Sequence, residues 1–153
     1  MNTFTQQYVM AVFAVKYRLG LIDPKWASNL YAMMGAILKE IDGVKPVKIC
    51  GYQDHVHALY STAGKVADSE IMRRLKSESS RWVNEQRLTV GRFGWQRGGA
   101  RITCSPTSLH RLINYIEGQW EHHRAVSFRE EYDKWLRSLG VTPEKYDMPE
   151  ELM

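Results

Sequence analysis

Two histidines separated by one residue are the first side chains of this sequence that could do chemistry. Residues 54–57 read Asp-His-Val-His and residues 58–60 read Ala-Leu-Tyr, which is typical of a half-buried strand. Alternate side chains of a strand share a face, so His55 and His57 point the same way with Cα atoms roughly 6.6 Å apart. Two imidazoles at that spacing can hold one divalent cation and leave positions open for substrate oxygens. The same pattern also fits two ordinary polar residues, and the strand alone does not decide between them.

A tyrosine and a glutamine four residues apart, Tyr115 and Gln119, form a second pair. Ser105 followed by a proline is typical of a helix start, and apolar residues then recur at helical spacing. On one continuous helix, Tyr115 and Gln119 would lie on one flank beside the apolar stripe. A tyrosine in such a place is most often a packing residue, so spacing alone does not join it to the histidines.

Basic residues are concentrated in the middle of the chain, where residues 71–104 contain eight basic and only two acidic side chains. A basic middle in a chain of net charge +4 suggests a site for a polyanion, although a charge run is equally typical of a solvated helix face. The candidate phosphate contacts are Arg73, Arg74, Lys76 and Arg81 on a predicted helix, Arg92 and Arg97 in a glycine-rich segment, and Lys16 and Arg18 at the end of the first strand. For the last two, an ordinary solvated strand end is an equal alternative.

The glycine-rich segment at residues 91–99 also contains two aromatic residues, Phe93 and Trp95. They could stack on unpaired bases. The alternative is a surface loop whose Trp95 fills the core, and that interpretation is preferred.

Composition restricts the class of protein. A chain of 153 residues with 44% hydrophobic residues can bury one core, and it contains no apolar run near the ~18 residues of a membrane span. The first residues lack the layout of a signal peptide, so we expect a cytoplasmic protein in which Cys50 and Cys104 are reduced and buried. We predict a single domain over residues 1–140 and an acidic tail over residues 141–153.

The order of predicted elements is strand, helix, strand, strand, helix, strand, helix, helix. The apolar run at residues 8–15 predicts a central strand, Asp23 followed by a proline starts the first helix, and Asp68 is the expected N-cap of the second. A capping-box pattern at Ser127 begins the last helix. This order indicates an α+β fold with a ferredoxin-like antiparallel sheet, helices packed on it, and the tyrosine-bearing helix near the C-terminus.

Taken together, these motifs resemble the single-tyrosine HUH transposases of bacterial insertion sequences, the IS200-like type. HUH stands for His, hydrophobic, His, and His55-Val56-His57 with Tyr115-x-x-x-Gln119 some sixty residues later matches that pattern. Further matches in family order, from about residue 8 to residue 140, are Leu75-Lys76, Ser79-Ser80, Phe93-Gly94-Trp95-Gln96, Ser127-Phe128 and Glu131-Tyr132.

The resemblance implies specific roles. Tyr115 would be the nucleophile that forms a 5′-phosphotyrosine, and His55, His57 and Gln119 would hold Mg²⁺ or Mn²⁺. The partners would be single-stranded DNA with end hairpins and a second copy of the chain, with the tyrosine helix serving the partner's site. Two other functions fit the residues: a non-catalytic binder of single-stranded nucleic acid, and a related HUH nicking enzyme that acts on repeat elements.

Overall fold

The computed structural model describes residues 3–141. Its strands and longer helices alternate largely as the sequence predicts. In chain order they are β1 (Gln7–Ala14), α1 (Pro24–Lys39), β2 (Val44–Gly51), β3 (His55–Thr62), α2 (Asp68–Glu85), β4 (Ala100–Cys104), α3 (Leu109–Glu117), α4 (Gln119–His122) and α5 (Phe128–Ser138). The predicted acidic tail lies outside the described residues from residue 142 onward.

The four strands form one antiparallel sheet in the order β2-β3-β1-β4. β1 is central because its continuous apolar run can be buried on both faces. It pairs with β3 so that Ala14 lies opposite His55 and Val12 opposite His57. This topology confirms the predicted ferredoxin-like α+β fold.

Each face of the sheet is covered by different helices. Alternate residues of β1, such as Val9 and Phe13, pack with α1 and α2, whereas Met10 and Val12 pack with α3 and α5. Val56 faces the first core, as the alternation along β3 requires. His55 and His57 therefore lie on the second face, under the three C-terminal helices.

Two of the predicted helix starts are confirmed by side-chain caps. Asp23 accepts a hydrogen bond from the backbone N–H of Lys25 at 2.8 Å, and Ser127 accepts one from Glu130 at 3.2 Å. The prediction for Asp68 is wrong, since Asp68 is the first residue of α2 and accepts a hydrogen bond from the Tyr60 hydroxyl instead.

The tyrosine helix is shorter than its sequence pattern suggests. Ser105 caps a single 3₁₀ turn, and α3 proper begins at Leu109 and ends at Glu117. Gly118 then separates α3 from the short α4, so Tyr115 and Gln119 do not share one continuous helix. The break turns Gln119 fully into the interior while Tyr115 keeps 38% of its surface exposed.

The hairpin that presents the histidines is tight. At Gly51, a side chain would collide with the backbone carbonyl of His55, so only glycine lets β2 approach β3 there. The two cysteines, on β2 and β4, are both free, and they are half-buried rather than buried as expected. None of the helices among the described residues is long and apolar enough to span a membrane.

Candidate active site

His55 and His57 lie side by side beneath the C-terminal helices, with ring centroids 5.3 Å apart. Both side chains are almost completely buried. This confirms the shared face that alternation along a strand predicts. Two adjacent buried imidazoles need polar partners, because unsatisfied polar groups in a protein interior are costly.

Asp54 fixes the protonation pattern of His55. Its carboxylate accepts a hydrogen bond from Nδ1 of His55 at 2.8 Å, so Nδ1 carries the proton. In the neutral ring, Nε2 then presents a lone pair, and it faces the carbonyl oxygen of Gln119 at 2.9 Å. Two lone pairs at that distance repel each other unless a proton or a metal cation lies between them. A carboxylate behind a histidine in this way is the usual support of a metal-ligating imidazole.

Glu131 joins these groups, and the sequence analysis gave it no role. Its Oε1 accepts a hydrogen bond from Nε2 of His57 at 2.9 Å, and its Oε2 lies 3.0 Å from Nε2 of His123. The available signal was its position on α5, where Phe128, Glu131 and Tyr132 follow the i, i+3, i+4 spacing of a buried stripe. A carboxylate on a buried stripe requires partners, and here those partners are histidines.

Electrostatics keep Glu131 charged and His57 neutral. Burial alone would raise the pKa of Glu131, but hydrogen bonds from His123 and His57 outweigh burial and hold that pKa well below its usual range. Burial lowers the pKa of His57, although the hydrogen bond to Glu131 opposes this effect. A neutral imidazole beside an ionised carboxylate is the protonation state that binds a divalent cation.

Tyr115 lies at the mouth of the same site. Its ring centroid is 5.7 Å from that of His57. Burial, followed by the hydrogen bond and charge of Glu131, raises the pKa of the phenol well above its usual value. Tyr115 borders a mostly apolar pocket of about 260 Å³ that His57, Glu131 and Arg111 also line. Sequence reasoning did not single out Arg111, which lies one turn before Tyr115.

The donor set fits a divalent cation. Metal–ligand bonds of ~2.1 Å in octahedral geometry place neighbouring ligand atoms ~3.0 Å apart. The contacts from His55 to Gln119 and from His57 to Glu131 are both 2.9 Å. His55, His57 and Glu131 also each offer a ligand atom within 4.8 Å of the others. The predicted ligands His55, His57 and Gln119 are thus brought together, with Glu131 as an additional donor.

Four of the predicted phosphate contacts line a second feature, an open groove of about 930 Å³ between α2 and the glycine-rich segment: Arg73, Lys76, Arg81 and Arg92. Arg73 and Arg81 form exposed ion pairs within α2, to Glu70 at 2.5 Å and Glu85 at 3.8 Å. Such surface pairs contribute little and leave the cations available to a polyanion.

Lys76 is held at the floor of this groove. Its ammonium donates to the backbone carbonyls of Gln96 and Gly98 and lies 5.2 Å from the centroid of the Phe13 ring. Burial lowers its pKa to about 8. The charge of Lys76 is therefore sensitive to pH in a range where the arginines remain protonated.

The remaining predicted contacts are scattered. Arg74 points away from the groove, with Glu78 at 3.5 Å and Glu40 of α1 at 3.9 Å. Arg97 is exposed in the glycine-rich segment. Lys16 is exposed at the end of β1 and joins that segment through its backbone N–H. For Arg18, burial lowers the pKa and the charge of Asp54 opposes this, which places the guanidinium close to the histidine strand.

The two aromatic residues of the glycine-rich segment belong to the core. Phe93 is 1% exposed, and its ring meets that of Trp95 at 4.9 Å. Trp95 also packs on Phe13 at 4.8 Å and donates its indole N–H to Ser79. Phe93 is therefore a core residue. Trp95 packs against the core, as the preferred interpretation predicts, but it is half-buried and also lines the groove beside α2, so its stacking on a base stays a prediction.

Comparison with known proteins decides the family. The model of the family described as "Transposase IS200 like" matches residues 3–119, which is most of the chain and includes both histidines, Tyr115 and Gln119. The chain belongs to the IS200-like transposase family. This confirms the family recognised from the sequence motifs. The matched segment ends at Gln119, so Glu131 and the whole of α5 lie beyond it.

Solved structures support the fold of this IS200-like transposase. A protein of Deinococcus radiodurans R1 described as a transposase has 20% identity and a TM-score of 0.60, over 78% of this chain and 95% of that one. A REP-associated tyrosine transposase bound to a REP hairpin has 12% identity and a TM-score of 0.59, over 82% and 73%. No curated protein sequence matches the chain.

Proposed function

We propose that this IS200-like transposase cleaves and rejoins single-stranded DNA at the ends of an insertion sequence through a covalent 5′-phosphotyrosine on Tyr115. The observation that carries the proposal is the position of Tyr115, whose phenol shares one pocket with His57 and Glu131. A nucleophile next to a cluster of buried donors is the arrangement that phosphodiester cleavage requires.

The proposed step balances without a co-reactant. The Tyr115 oxygen loses its proton to solvent and forms a bond to phosphorus. The bond from phosphorus to the 3′ oxygen breaks, and that oxygen takes a proton from solvent, which leaves a free 3′-OH. Glu131 orients the phenol through their hydrogen bond. Arg111, an exposed residue that borders the pocket, would bind a phosphate oxygen. Rejoining reverses the step with another 3′-OH, so no ATP is consumed.

His55, His57 and Gln119 would hold the cation, with Glu131 beside them. When bound, Mg²⁺ or Mn²⁺ would neutralise charge on the non-bridging oxygens of the scissile phosphate. Nitrogen donors suit Mn²⁺ better than Mg²⁺. We expect Mn²⁺ to support cleavage at least as well as Mg²⁺ in vitro.

The groove formed by Arg73, Lys76, Arg81 and Arg92 is the proposed path of the DNA backbone. Its cations and the hydroxyl of Ser80 suit phosphate contacts that fix DNA without reading sequence. Arg97 and Lys16 would extend this path along the glycine-rich segment. Since a structurally similar transposase binds a DNA hairpin, we propose hairpin ends as the substrate here as well.

A non-catalytic DNA binder is the weaker candidate. Binding to phosphates needs exposed cations, and it does not explain the burial of His55, His57, Gln119 and Glu131 against one another. A nicking enzyme acting on repeat elements would use the same chemistry, so it differs only in the DNA that is offered.

The decisive experiment incubates the protein with labelled single-stranded DNA from the ends of its own element and Mn²⁺, followed by a denaturing gel. We expect a covalent protein–DNA band that is absent with Tyr115→Phe and unchanged with Tyr8→Phe, a control on the first strand. Binding without any covalent band would refute catalysis and favour the DNA binder.

We further propose a homodimer in which the tyrosine helix serves the partner's site, although the phenol in this structure lies next to the histidines of its own chain. Mixing inactive Tyr115→Phe with inactive His57→Asn discriminates the two arrangements. Restored cleavage in the mixture supports action in trans, and no restoration supports action within one chain.

A further inference from the structure

Each oxygen of the Glu131 carboxylate faces two histidines. Oε1 lies 2.9 Å from Nε2 of His57 and 3.8 Å from Nε2 of His55. Oε2 lies 3.0 Å from Nε2 of His123 and 2.9 Å from Nε2 of His122. The proposed cation site uses His55 and His57 and assigns no ligand role to His122 or His123, although Gln119 contacts His123 as well as His55.

His123 has the same fixed orientation as His55. Its Nδ1 donates to the backbone carbonyl of Val126 at 2.6 Å, so Nε2 donates to Glu131 when the ring is protonated and presents a lone pair when the ring is neutral. That lone pair faces Oε2 of Glu131 and the carbonyl oxygen of Gln119, each at 3.0 Å. In the neutral ring three acceptor atoms thus converge, and a proton on His123 or a cation would relieve their repulsion.

His122 completes the group from the solvent side. Its Nε2 is buried and makes no hydrogen bond within the described part of the chain, although it lies 2.9 Å from Oε2 of Glu131. The His122 side chain is 35% exposed, which leaves room for water or substrate oxygens as further ligands. The ligand atoms of His122, His123 and Glu131 lie within 4.8 Å of one another.

We propose that His122, His123 and Oε2 of Glu131 bind a second divalent cation, so that Glu131 bridges two cation positions. The first position rests on the proposed function, and the second goes beyond it. Two imidazoles and one carboxylate favour Mn²⁺, Co²⁺ or Zn²⁺ over Mg²⁺. These three residues lie outside the segment that the family model matches, so the site is a feature of this chain's C-terminal part.

A cation at this second position could affect the reaction, because Tyr115 lies between the two pairs of histidines. Its ring centroid is 5.7 Å from that of His57 and 5.8 Å from that of His122. In two-cation phosphoryl transfer, the attacking and the leaving oxygen are each stabilised by a positive charge. A cation at His122 and His123 would lie beside the phenol and stabilise the charge that its oxygen gains.

The test counts bound Mn²⁺ in the full chain, without DNA, by equilibrium dialysis and elemental analysis. Variants are His122→Ala, which removes a half-exposed ring whose Nε2 makes no hydrogen bond within residues 3–141, and His110→Ala, an exposed histidine of α3 as the matched control. We expect two ions per chain in the wild type and the control. His122→Ala should keep one ion and weaken the second on the order of tenfold or more. The electron spin resonance of the wild type should show coupled Mn²⁺ ions, and His122→Ala should restore the uncoupled signal.

Other outcomes overturn the proposal. A single ion in the wild type with unchanged affinity in His122→Ala means that His122 and His123 only form ion pairs with Glu131. Two ions that persist in both His122→Ala and Glu131→Gln mean that the second ion binds elsewhere. Either result leaves the covalent band of Tyr115 as an independent measure of the proposed function.

Discussion

The support of His55 by Asp54 yields a quantitative prediction. Replacing Asp54 by alanine removes the acceptor that fixes the ring while it keeps the backbone carbonyl of residue 54, which accepts a hydrogen bond from Val15 at 2.8 Å. The fold should therefore persist. The ring of His55 loses its fixed orientation, and protonation of Nε2 then competes with the cation.

The expected loss of metal affinity follows from the type of hydrogen bond that is removed. Removing a carboxylate behind a metal-ligating histidine typically costs about 10–100-fold in metal affinity, or about 1.4–2.7 kcal/mol. Asp54→Asn keeps an oxygen that can accept from Nδ1 but loses the charge. Because a neutral hydrogen bond is weaker than a charged one by about 1 kcal/mol, we expect roughly a fivefold loss for this variant.

Titration calorimetry with Mn²⁺ measures these affinities directly, and thermal melting without metal verifies folding. Asp42→Ala is the matched control, since Asp42 is an exposed aspartate paired with Lys65 at 3.6 Å. A role of Asp54 in supporting His55 is refuted if Asp54→Ala binds Mn²⁺ as tightly as Asp42→Ala does while both melt like the wild type.

Three further predictions concern charge. Fluorescence anisotropy measures how the affinity for single-stranded DNA falls with salt concentration. Arg81→Ala and Arg92→Ala should each reduce the slope of log affinity against log salt by about 0.7, whereas Arg74→Ala should leave this slope unchanged. Equal effects of all three variants would mean that the DNA does not bind in this groove. Since burial lowers the pKa of Lys76 to about 8, the affinity for DNA should fall as the pH rises through about 8 and Lys76 loses its charge. In the same assay, Lys76→Met should bind DNA more weakly at every pH and should show a smaller fall. Burial and a hydrogen bond raise the pKa of Tyr60, so this group should leave the free energy of unfolding unchanged below pH ~10. Above pH ~10 the free energy of unfolding should decline, because Tyr60 ionises in the unfolded state but not in the folded state. Urea unfolding of Tyr60→Phe should show a shallower decline with pH, and a decline identical to that of the wild type would contradict the raised pKa.

The sequence predicts the elements that depend on local chemistry. The uninterrupted apolar run of β1 and the caps at Asp23 and Ser127 are visible in the chain because their causes lie within a few residues. Alternation along β3 likewise places His55 and His57 on one face. These features determine most of the fold and half of the candidate site.

What the sequence does not predict depends on contacts between distant residues. Asp68 has the right type for a cap, but its carboxylate is taken by the hydroxyl of Tyr60. Arg74 has the periodicity of a groove residue, but Glu40 of a different helix lies near it. Glu131 looks like an ordinary helix carboxylate in the sequence, because the histidine that donates to it, His57, lies 74 residues earlier in the chain.

The sheet separates the two halves of the proposed machinery. The groove of α2 lies on the face of β1 that carries Phe13, and Tyr115 lies over the face that carries Met10 and Val12. A DNA strand that touches both must bend round an edge of the molecule, and β4 is the edge that follows the glycine-rich segment. Oligonucleotides too short to reach from the groove to Tyr115 should still bind to the arginines but should not be cleaved. The minimum length of DNA that is cleaved therefore measures the path along the protein surface from the groove to Tyr115.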